Sequence, residues 1–244
     1  MGRGNGGCQP KWRQRVDGWL DLLLPRACLA CGQPCGALGL CEGCADDLPV
    51  IAWPCPTCGM PLARPGEPGC GPCLAKPPPF HRVHAPFRYQ FPVDRLVQRF
   101  KYRGDAACGR TLALAAARRL DAPPPLALAP VPLHWSRLWR RGFNPAAELA
   151  ATLGKERGLP VLHRGLARTR ATPTQAGLDA KARRRNVRGA FAWRGQRPPP
   201  AHVALVDDVM TTGATAAACA AALRRAGARR IELWVVARAT GGAP

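Results

Sequence analysis

The sequence predicts an α/β protein, with a parallel sheet flanked by helices, preceded by a small cysteine-rich module. From about residue 80 onward, short apolar segments alternate with amphipathic ones, which is typical of strand–helix–strand units in a parallel sheet. Between residues 26 and 80, Cys, Gly and Pro dominate and no long periodic segment occurs. Such a module cannot rely on an apolar core, so another interaction must hold it together. The 244 residues suffice for one mid-sized domain and one small one.

The composition divides the chain into three segments. Residues 1–25 carry a helical pattern over 12–24, with Trp and Leu side chains on one face. Residues 26–79 form the cysteine-rich module, which ends in the linker-like sequence KPPP. Residues 80–244 form the α/β domain.

The strands of the α/β domain are predicted from apolar segments rich in Val, Leu and Ala. The segment HVALVDDV is the clearest, because its continuous apolar run indicates a strand buried on both faces. Strands are expected over 83–89, 126–132, 161–168, 202–209 and 230–239.

The helices between these strands are predicted from periodicity and end signals. Asn144 and Pro145 are typical of the start of a helix, and Gly227 of the stop after one. Helices are expected over 92–102, 109–120, 144–157 and 213–227, and an arginine-rich helix or loop over 174–186.

The charge of the chain is strongly positive. Lys and Arg number 36 against 15 Asp and Glu, which gives a net charge of +21. Nucleic acid or small phosphorylated ligands are therefore the natural partners, and charge alone does not choose between them. No secretion signal or membrane span is visible, so we expect a cytoplasmic protein without membrane insertion.

Eight of the twelve cysteines form four C-x-x-C pairs. Each such pair offers two thiolates from one tight turn, and two pairs complete a tetrahedral zinc site with four cysteine ligands. Disulfides or free thiols are the alternatives, but a cytoplasmic setting disfavours disulfides and four equal spacings disfavour chance. The pattern predicts two structural zinc sites, with Cys35 as an alternative ligand near the first: Cys28, Cys31, Cys41 and Cys44; then Cys55, Cys58, Cys70 and Cys73.

The segment ALVDDVMTTGAT carries the strongest binding signal. An apolar strand ends in Asp207 and Asp208, and a loop of small and hydroxyl-bearing residues, 211–215, then opens a helix. A loop of this kind presents unpaired backbone N–H groups and the positive end of the helix dipole to a phosphate. The alternative, a Thr-capped helix after a buried strand, explains the loop. It does not explain the two adjacent carboxylates, because their mutual repulsion is costly unless a cation or ligand offsets it.

The same segment resembles the signature loop of type I phosphoribosyltransferases. Four stretches are further similar to the ComF family of competence-related proteins: RFKYRGD, PVPLHWSRLWRRGFNPAAELA, RTRATPTQAGLDAKARRRNVRGAF and the loop itself. The cysteine-rich start resembles the double zinc ribbon that such proteins carry. The resemblance extends from about Cys28 to Ala239.

This resemblance implies a site for 5-phosphoribosyl-1-pyrophosphate with Mg²⁺. Asp207 and Asp208 would hold the ribose hydroxyls and stabilise positive charge at the anomeric carbon. The loop residues Thr211, Thr212, Gly213, Ala214 and Thr215 would hold the 5-phosphate. The pyrophosphate would face four basic side chains, those of Lys101, Arg137, Arg140 and Arg141.

The resemblance leaves two functions open. One is a binding module that handles single-stranded DNA in natural competence, the other is an active phosphoribosyltransferase with an unknown acceptor, and the two are compatible. A zinc-stabilised scaffold that binds no ligand is the weaker alternative. The adjacent Asp207 and Asp208 are the evidence against it. The basic segment around Arg183 suits a nucleic acid but equally a solvated helix. The zinc module contains four acidic residues and one Arg over 28–75, so it favours a protein partner, such as a helicase-like competence protein.

Overall fold

The computed structural model describes residues 26–170, 187 and 189–240. The helix predicted over 12–24 and the segment predicted over 174–186 lie outside these residues. The cysteine-rich module contains only short elements. They are β1 (Arg26–Ala27), β2 (Pro34–Cys35), α1 (Glu42–Asp46) and α2 (Gly71–Ala75).

The α/β domain follows the predicted alternation of strands and helices. Its elements in chain order are β3 (Arg82–His84), β4 (Phe87–Arg88), α3 (Val93–Arg103), α4 (Ala106–Arg119), β5 (Ala127–Pro130), α5 (Trp135–Arg141), α6 (Pro145–Arg157), β6 (Leu166–Arg168), β7 (Phe191–Trp193), β8 (His202–Met210), α7 (Ala214–Arg225) and β9 (Arg230–Arg238).

Five parallel strands form the central sheet. The order is β3, β9, β8, β5, and β4 also pairs with β9 further along its length. The short strands β6 and β7 form a separate antiparallel pair. This arrangement confirms the predicted α/β class with a parallel sheet flanked by helices and a cysteine-rich module in front.

Two predicted strands are shorter than the sequence suggested. The segment 83–89 is split into β3 and β4 because Pro86 has no backbone N–H to donate to the sheet. The carbonyl of Pro86 instead accepts a hydrogen bond from the backbone N–H of Ile51, in the cysteine-rich module, at 2.9 Å. In the segment 161–168 only the last three residues form a strand, and Val161 makes a single bridge to Leu128. The short helix α5 was not predicted.

Each face of the sheet carries an apolar core. One core packs Leu96, Phe100, Leu112 and Leu149 from helices α3, α4 and α6 against the sheet. The other packs helix α7 against alternate residues of β8 and β9, including Val203, Leu205, Leu223 and Ile231. The alternation of side chains along β8 thus supplies both cores, which explains its continuous apolar sequence.

The cysteine-rich module is fixed to the α/β domain by side chains of that domain. Arg99 donates to the carbonyl of Leu29 and Thr111 donates to the carbonyl of Leu38, both at 2.7 Å. These bonds satisfy loop carbonyls that no regular element serves. Over the described ranges, no helix is both long enough and apolar enough to span a bilayer.

Candidate functional site

The eight predicted cysteine ligands form two separate groups of four. In each group the sulfur atoms all lie within 4.8 Å of one another, and the membership is as predicted: Cys28, Cys31, Cys41 and Cys44 in one, Cys55, Cys58, Cys70 and Cys73 in the other. The sulfurs of Cys31 and Cys41 are 3.6 Å apart, and those of Cys58 and Cys70 are 3.5 Å apart. A tetrahedral ion with Zn–S bonds of about 2.3 Å has sulfur–sulfur edges of about 3.8 Å. Both groups therefore support a structural zinc ion, and Cys35 is not part of the first.

One thiol in each group is prepared for ionisation by the local backbone. Burial raises the pKa of Cys55, but N–H groups of Cys70, Cys58 and Thr57 outweigh it and lower the pKa to about 7. The N–H of Cys70 lies 3.4 Å from the Cys55 sulfur. Backbone N–H groups likewise outweigh burial at Cys28 and lower its pKa to about 6. Four thiolates fill a tetrahedral site, so these are structural centres and not catalytic ones.

A cavity of about 230 Å³ lies at the carboxyl ends of β5 and β8. This is the edge at which open parallel sheets bind ligands. It gathers nearly all the binding residues predicted from the sequence: Lys101, Arg137, Arg141, Asp207, Asp208, Thr211, Thr212, Gly213, Ala214 and Thr215. Segments distant in sequence are thus brought to one site by the fold.

The side chains of the two adjacent aspartates point to opposite faces of the sheet near the end of β8, because side chains alternate along a strand. Asp208 is buried, and its Oδ1 lies 2.8 Å from the Nζ of Lys101, at the end of α3. Burial and the neighbouring Asp208 raise the pKa of Asp207 to about 7. Burial alone would lower the pKa of Lys101, but Asp208 and Asp207 outweigh it and raise that pKa.

The loop after β8 is shaped by Gly213. Its φ of +73° is left-handed, and a Cβ at this position would lie 2.6 Å from Cε of Met210. Residues 213–216, at the first turn of α7, line the cavity, so backbone N–H groups at this helix start are close to any ligand there. Thr212 Oγ1 lies 3.4 Å from the backbone N of Ala214.

The opposite wall is built by a second helix start and by arginines. The side chain of Asn144 caps α6 by accepting from the N–H of Ala146 at 3.2 Å, and it donates to the carbonyl of Val131 at 3.1 Å. This confirms the predicted cap and ties the end of β5 to α6. Burial lowers the pKa of Arg137, and the nearby Arg140 and Arg141 lower it further.

The structure places one predicted residue outside the cavity and adds two that sequence reasoning missed. Arg140 is exposed on α5 and is not among the lining residues. Arg168 is buried at the end of β6, and Tyr102 follows Lys101 on α3; both line the cavity. Burial and Arg137 lower the pKa of Arg168. Two signals pointed to it: its position at the end of a predicted strand, and its place at the start of a stretch that resembles the family.

His134 has a structural role at the start of α5. It is buried, and its ring Nδ1 accepts from the N–H of Ser136 at 3.3 Å, so it caps α5.

Fold and site together define the class: an α/β protein with a cation-rich cavity at the carboxyl edge of its parallel sheet, preceded by two four-cysteine centres. Residues 19–74 match the family model of the double zinc ribbon domain.

Over most of its length the chain is similar to curated relatives. It is 36% identical over 227 residues to the DNA utilization protein YhgH of Salmonella typhi, covering 89% of this chain and 99% of the relative. It is 38% identical over 210 residues to competence protein F of Haemophilus influenzae, covering 82% and 91%. The Escherichia coli K12 YhgH protein is 34% identical over 227 residues, covering 89% and 99%. The chain therefore belongs to the ComF/YhgH family.

Proposed function

We propose that this protein binds 5-phosphoribosyl-1-pyrophosphate with Mg²⁺ in the cavity and acts in natural competence, in the uptake and handling of single-stranded DNA. The observation that carries the ligand is the end of β8, where two carboxylates are separated by two strand residues from a loop that opens directly into α7. The relatives named for competence and DNA utilization carry the cellular role.

The cavity offers a complementary group to each part of this ligand. The N–H groups and hydroxyls of residues 211–215 suit the 5-phosphate. Asp207 and Asp208 suit the vicinal ribose hydroxyls, because carboxylates accept hydrogen bonds from both. Lys101, Arg137 and Arg141 suit the pyrophosphate.

The donor set also suits Mg²⁺. Asp207 and Asp208 are hard oxygen donors, and Mg²⁺ commonly takes one or two carboxylates together with phosphate oxygens of the bound ligand. Bound Mg²⁺ would offset the repulsion between the two carboxylates and lower the raised pKa of Asp207.

In this role the zinc module serves as a docking surface for a protein. Between residues 28 and 75 it carries four acidic residues and a single Arg, Arg64, although the whole chain has a charge of +21. This charge balance disfavours DNA and favours a protein partner, such as a helicase-like competence protein.

The experiment is a calorimetric titration of the zinc-loaded protein with phosphoribosyl pyrophosphate and Mg²⁺. The double variant Asp207→Asn/Asp208→Asn is compared with Asp46→Asn/Asp47→Asn, an equally adjacent but exposed pair. Saturable binding that only the first variant loses supports the proposal. Absence of binding by the folded wild type, or equal binding by both variants, refutes it.

An active phosphoribosyltransferase is the second candidate, and the position of Asp207 and Asp208 at the cavity favours it, because carboxylates there would stabilise positive charge at the anomeric carbon. In this reaction the acceptor bonds to the anomeric carbon, the bond to pyrophosphate breaks, pyrophosphate leaves toward the basic wall of the cavity, and the acceptor's proton passes to solvent. The test is pyrophosphate release that requires an acceptor, with Asp207→Asn as the variant that abolishes it.

A further inference from the structure

Two large aromatic side chains are exposed together on α5, the helix that also supplies Arg137 and Arg141 to the cavity. Trp135 is 67% exposed and Trp139 is 84% exposed, and they lie one turn apart. Residues at this spacing on a helix have Cβ atoms about 5–6 Å apart on one face. We refer to these two residues as the aromatic face.

The aromatic face does not contribute to the core of the protein. Helix α5 buries none of its residues, and it is held at its ends by the His134 cap and by Gly142, whose φ is +81°. Exposing two tryptophans on so short a helix has no benefit for folding. A cluster of exposed aromatic residues with no structural role indicates a binding surface.

Basic residues share α5 with the aromatic face. Arg140 is exposed on this helix, and no acidic residue occurs between positions 130 and 147. Arg137 and Arg141 lie about half a turn from the tryptophans and line the cavity, where the guanidinium of Arg141 lies 5.8 Å from the centroid of the Tyr102 ring, in cation–π geometry. Helix α5 therefore carries positive charge between the aromatic face and the ligand site.

We propose that the aromatic face is a stacking platform for single-stranded nucleic acid. Bases stack on exposed aromatic rings irrespective of sequence, and neighbouring arginines neutralise the phosphates. A duplex hides the faces of its bases, so the platform selects the single strand. An apolar protein partner would not require the neighbouring positive charge. This inference rests on the proposed role in DNA handling, but not on ligand binding in the cavity.

The test measures binding of a fluorescently labelled thymidine oligonucleotide to the full-length, zinc-loaded protein by anisotropy. The Trp135→Ala/Trp139→Ala variant is expected to bind about tenfold or more weakly, since each stacked base contributes substantially to affinity. Trp135→Phe/Trp139→Phe is expected to retain most of the affinity because it keeps the rings. Trp53→Ala, at a 46% exposed position in the cysteine-rich module, serves as the matched control.

A salt series separates stacking from phosphate contact. The slope of log affinity against log salt reports the number of phosphate contacts. Arg140→Gln should lower this slope by the equivalent of about one contact, whereas the tryptophan substitutions should leave it unchanged. Unchanged affinity in the double Ala variant overturns the proposal. So does equal affinity of the Trp135→Leu/Trp139→Leu variant and the Phe variant, because Leu is apolar but has no ring on which a base can stack.

Titration of the double Ala variant with phosphoribosyl pyrophosphate and Mg²⁺ separates this inference from the proposed function. Ligand binding retained with strand binding lost supports the platform and leaves the cavity proposal intact. If the double Ala variant loses binding of both the ligand and the oligonucleotide, it is misfolded, and the Phe variant decides. A Phe variant that binds the ligand but not the oligonucleotide refutes the platform.

Discussion

Arg238 connects the second zinc centre to the ligand loop: its Nε donates to the carbonyl of Cys58 at 3.0 Å. From the other side of the same buried guanidinium, Nη1 donates to the carbonyls of Met210, at 2.8 Å, and of Thr211. One side chain at the end of β9 thus satisfies backbone oxygens of a zinc ligand and of the loop after β8. The position of the loop therefore depends on the zinc centre.

Replacing Arg238 by Met should loosen this connection and destabilise the protein by about 3 kcal/mol, since several buried carbonyls lose a charged donor. The free energy of unfolding in urea measures the effect, and ligand titration should show weaker binding in the cavity. Arg225→Met, at an exposed position on α7, should change neither quantity. Equal stability of the two variants would show that water replaces the guanidinium without cost.

The sequence was sufficient to predict elements whose signal is local. The apolar run of β8, the Asn144 cap and the four C-x-x-C turns each depend on neighbouring residues, and the structure confirms them. The break at Pro86 was visible as a residue type, but the Ile51 N–H that meets its carbonyl comes from a distant segment. Helix α5 was not predicted, because its apolar residues recur at helical spacing over only seven residues and none of them is buried.

Zinc content should be two ions per chain, with one lost from Cys28→Ser and one from Cys55→Ser. Each of these thiols has a pKa lowered by backbone N–H groups, so its loss removes a preferred ligand. Cys35→Ser should retain both ions, because Cys35 is not among the four sulfurs of the first group. Metal analysis of the purified proteins gives the answer, and one ion in Cys35→Ser would show that the ligand set is different.

Arg137 and Arg140 should differ sharply in their effect on ligand binding, although both lie on α5. Arg137 lines the cavity and Arg140 points to solvent. Arg137→Met should weaken binding of phosphoribosyl pyrophosphate by roughly 10- to 100-fold, the cost of one charged hydrogen-bonding group. Arg140→Met should change it less than about twofold, because an exposed charge is screened. Calorimetry on both variants distinguishes them, and equal losses would place both at the ligand.

The candidate site shows where sequence reasoning stops. Asp207, Asp208 and the loop 211–215 are contiguous, so one motif predicts them. The resemblance predicts Arg137 and Arg140 together at the pyrophosphate, whereas on α5 only Arg137 of these two lines the cavity. Arg168 and Arg238 act through contacts with segments far away in the chain. In a chain whose 36 basic residues are mostly arginines, composition could not single them out.

A carboxylate buried in the sheet forms a second charged cluster, at the amino end of β9. Glu232 is fully buried, and its Oε1 lies 2.7 Å from Nη2 of Arg230. His84 lies 3.3 Å and His202 3.5 Å from its oxygens. Burial raises the pKa of Glu232, but the neighbouring His84 and the guanidinium of Arg230, whose Nε donates to Oε1 at 2.8 Å, outweigh it and lower the pKa to about 2. These partners stabilise the ionised form.

Acid should therefore destabilise the protein through Glu232. Its pKa in the folded state lies below the unfolded value of 4.5, so its contribution is complete above pH 4.5 and is lost as the pH falls toward 2. The loss should amount to about 2 kcal/mol in the free energy of unfolding, after allowance for the half-exposed Arg230. Urea unfolding between pH 7 and pH 2 measures it. Glu232→Gln should be less stable at pH 7 and should flatten the pH dependence in this window, whereas Glu148→Gln, at an exposed site on α6, should follow the wild type. A curve for Glu232→Gln that runs parallel to that of the wild type would show that other carboxylates cause the acid sensitivity.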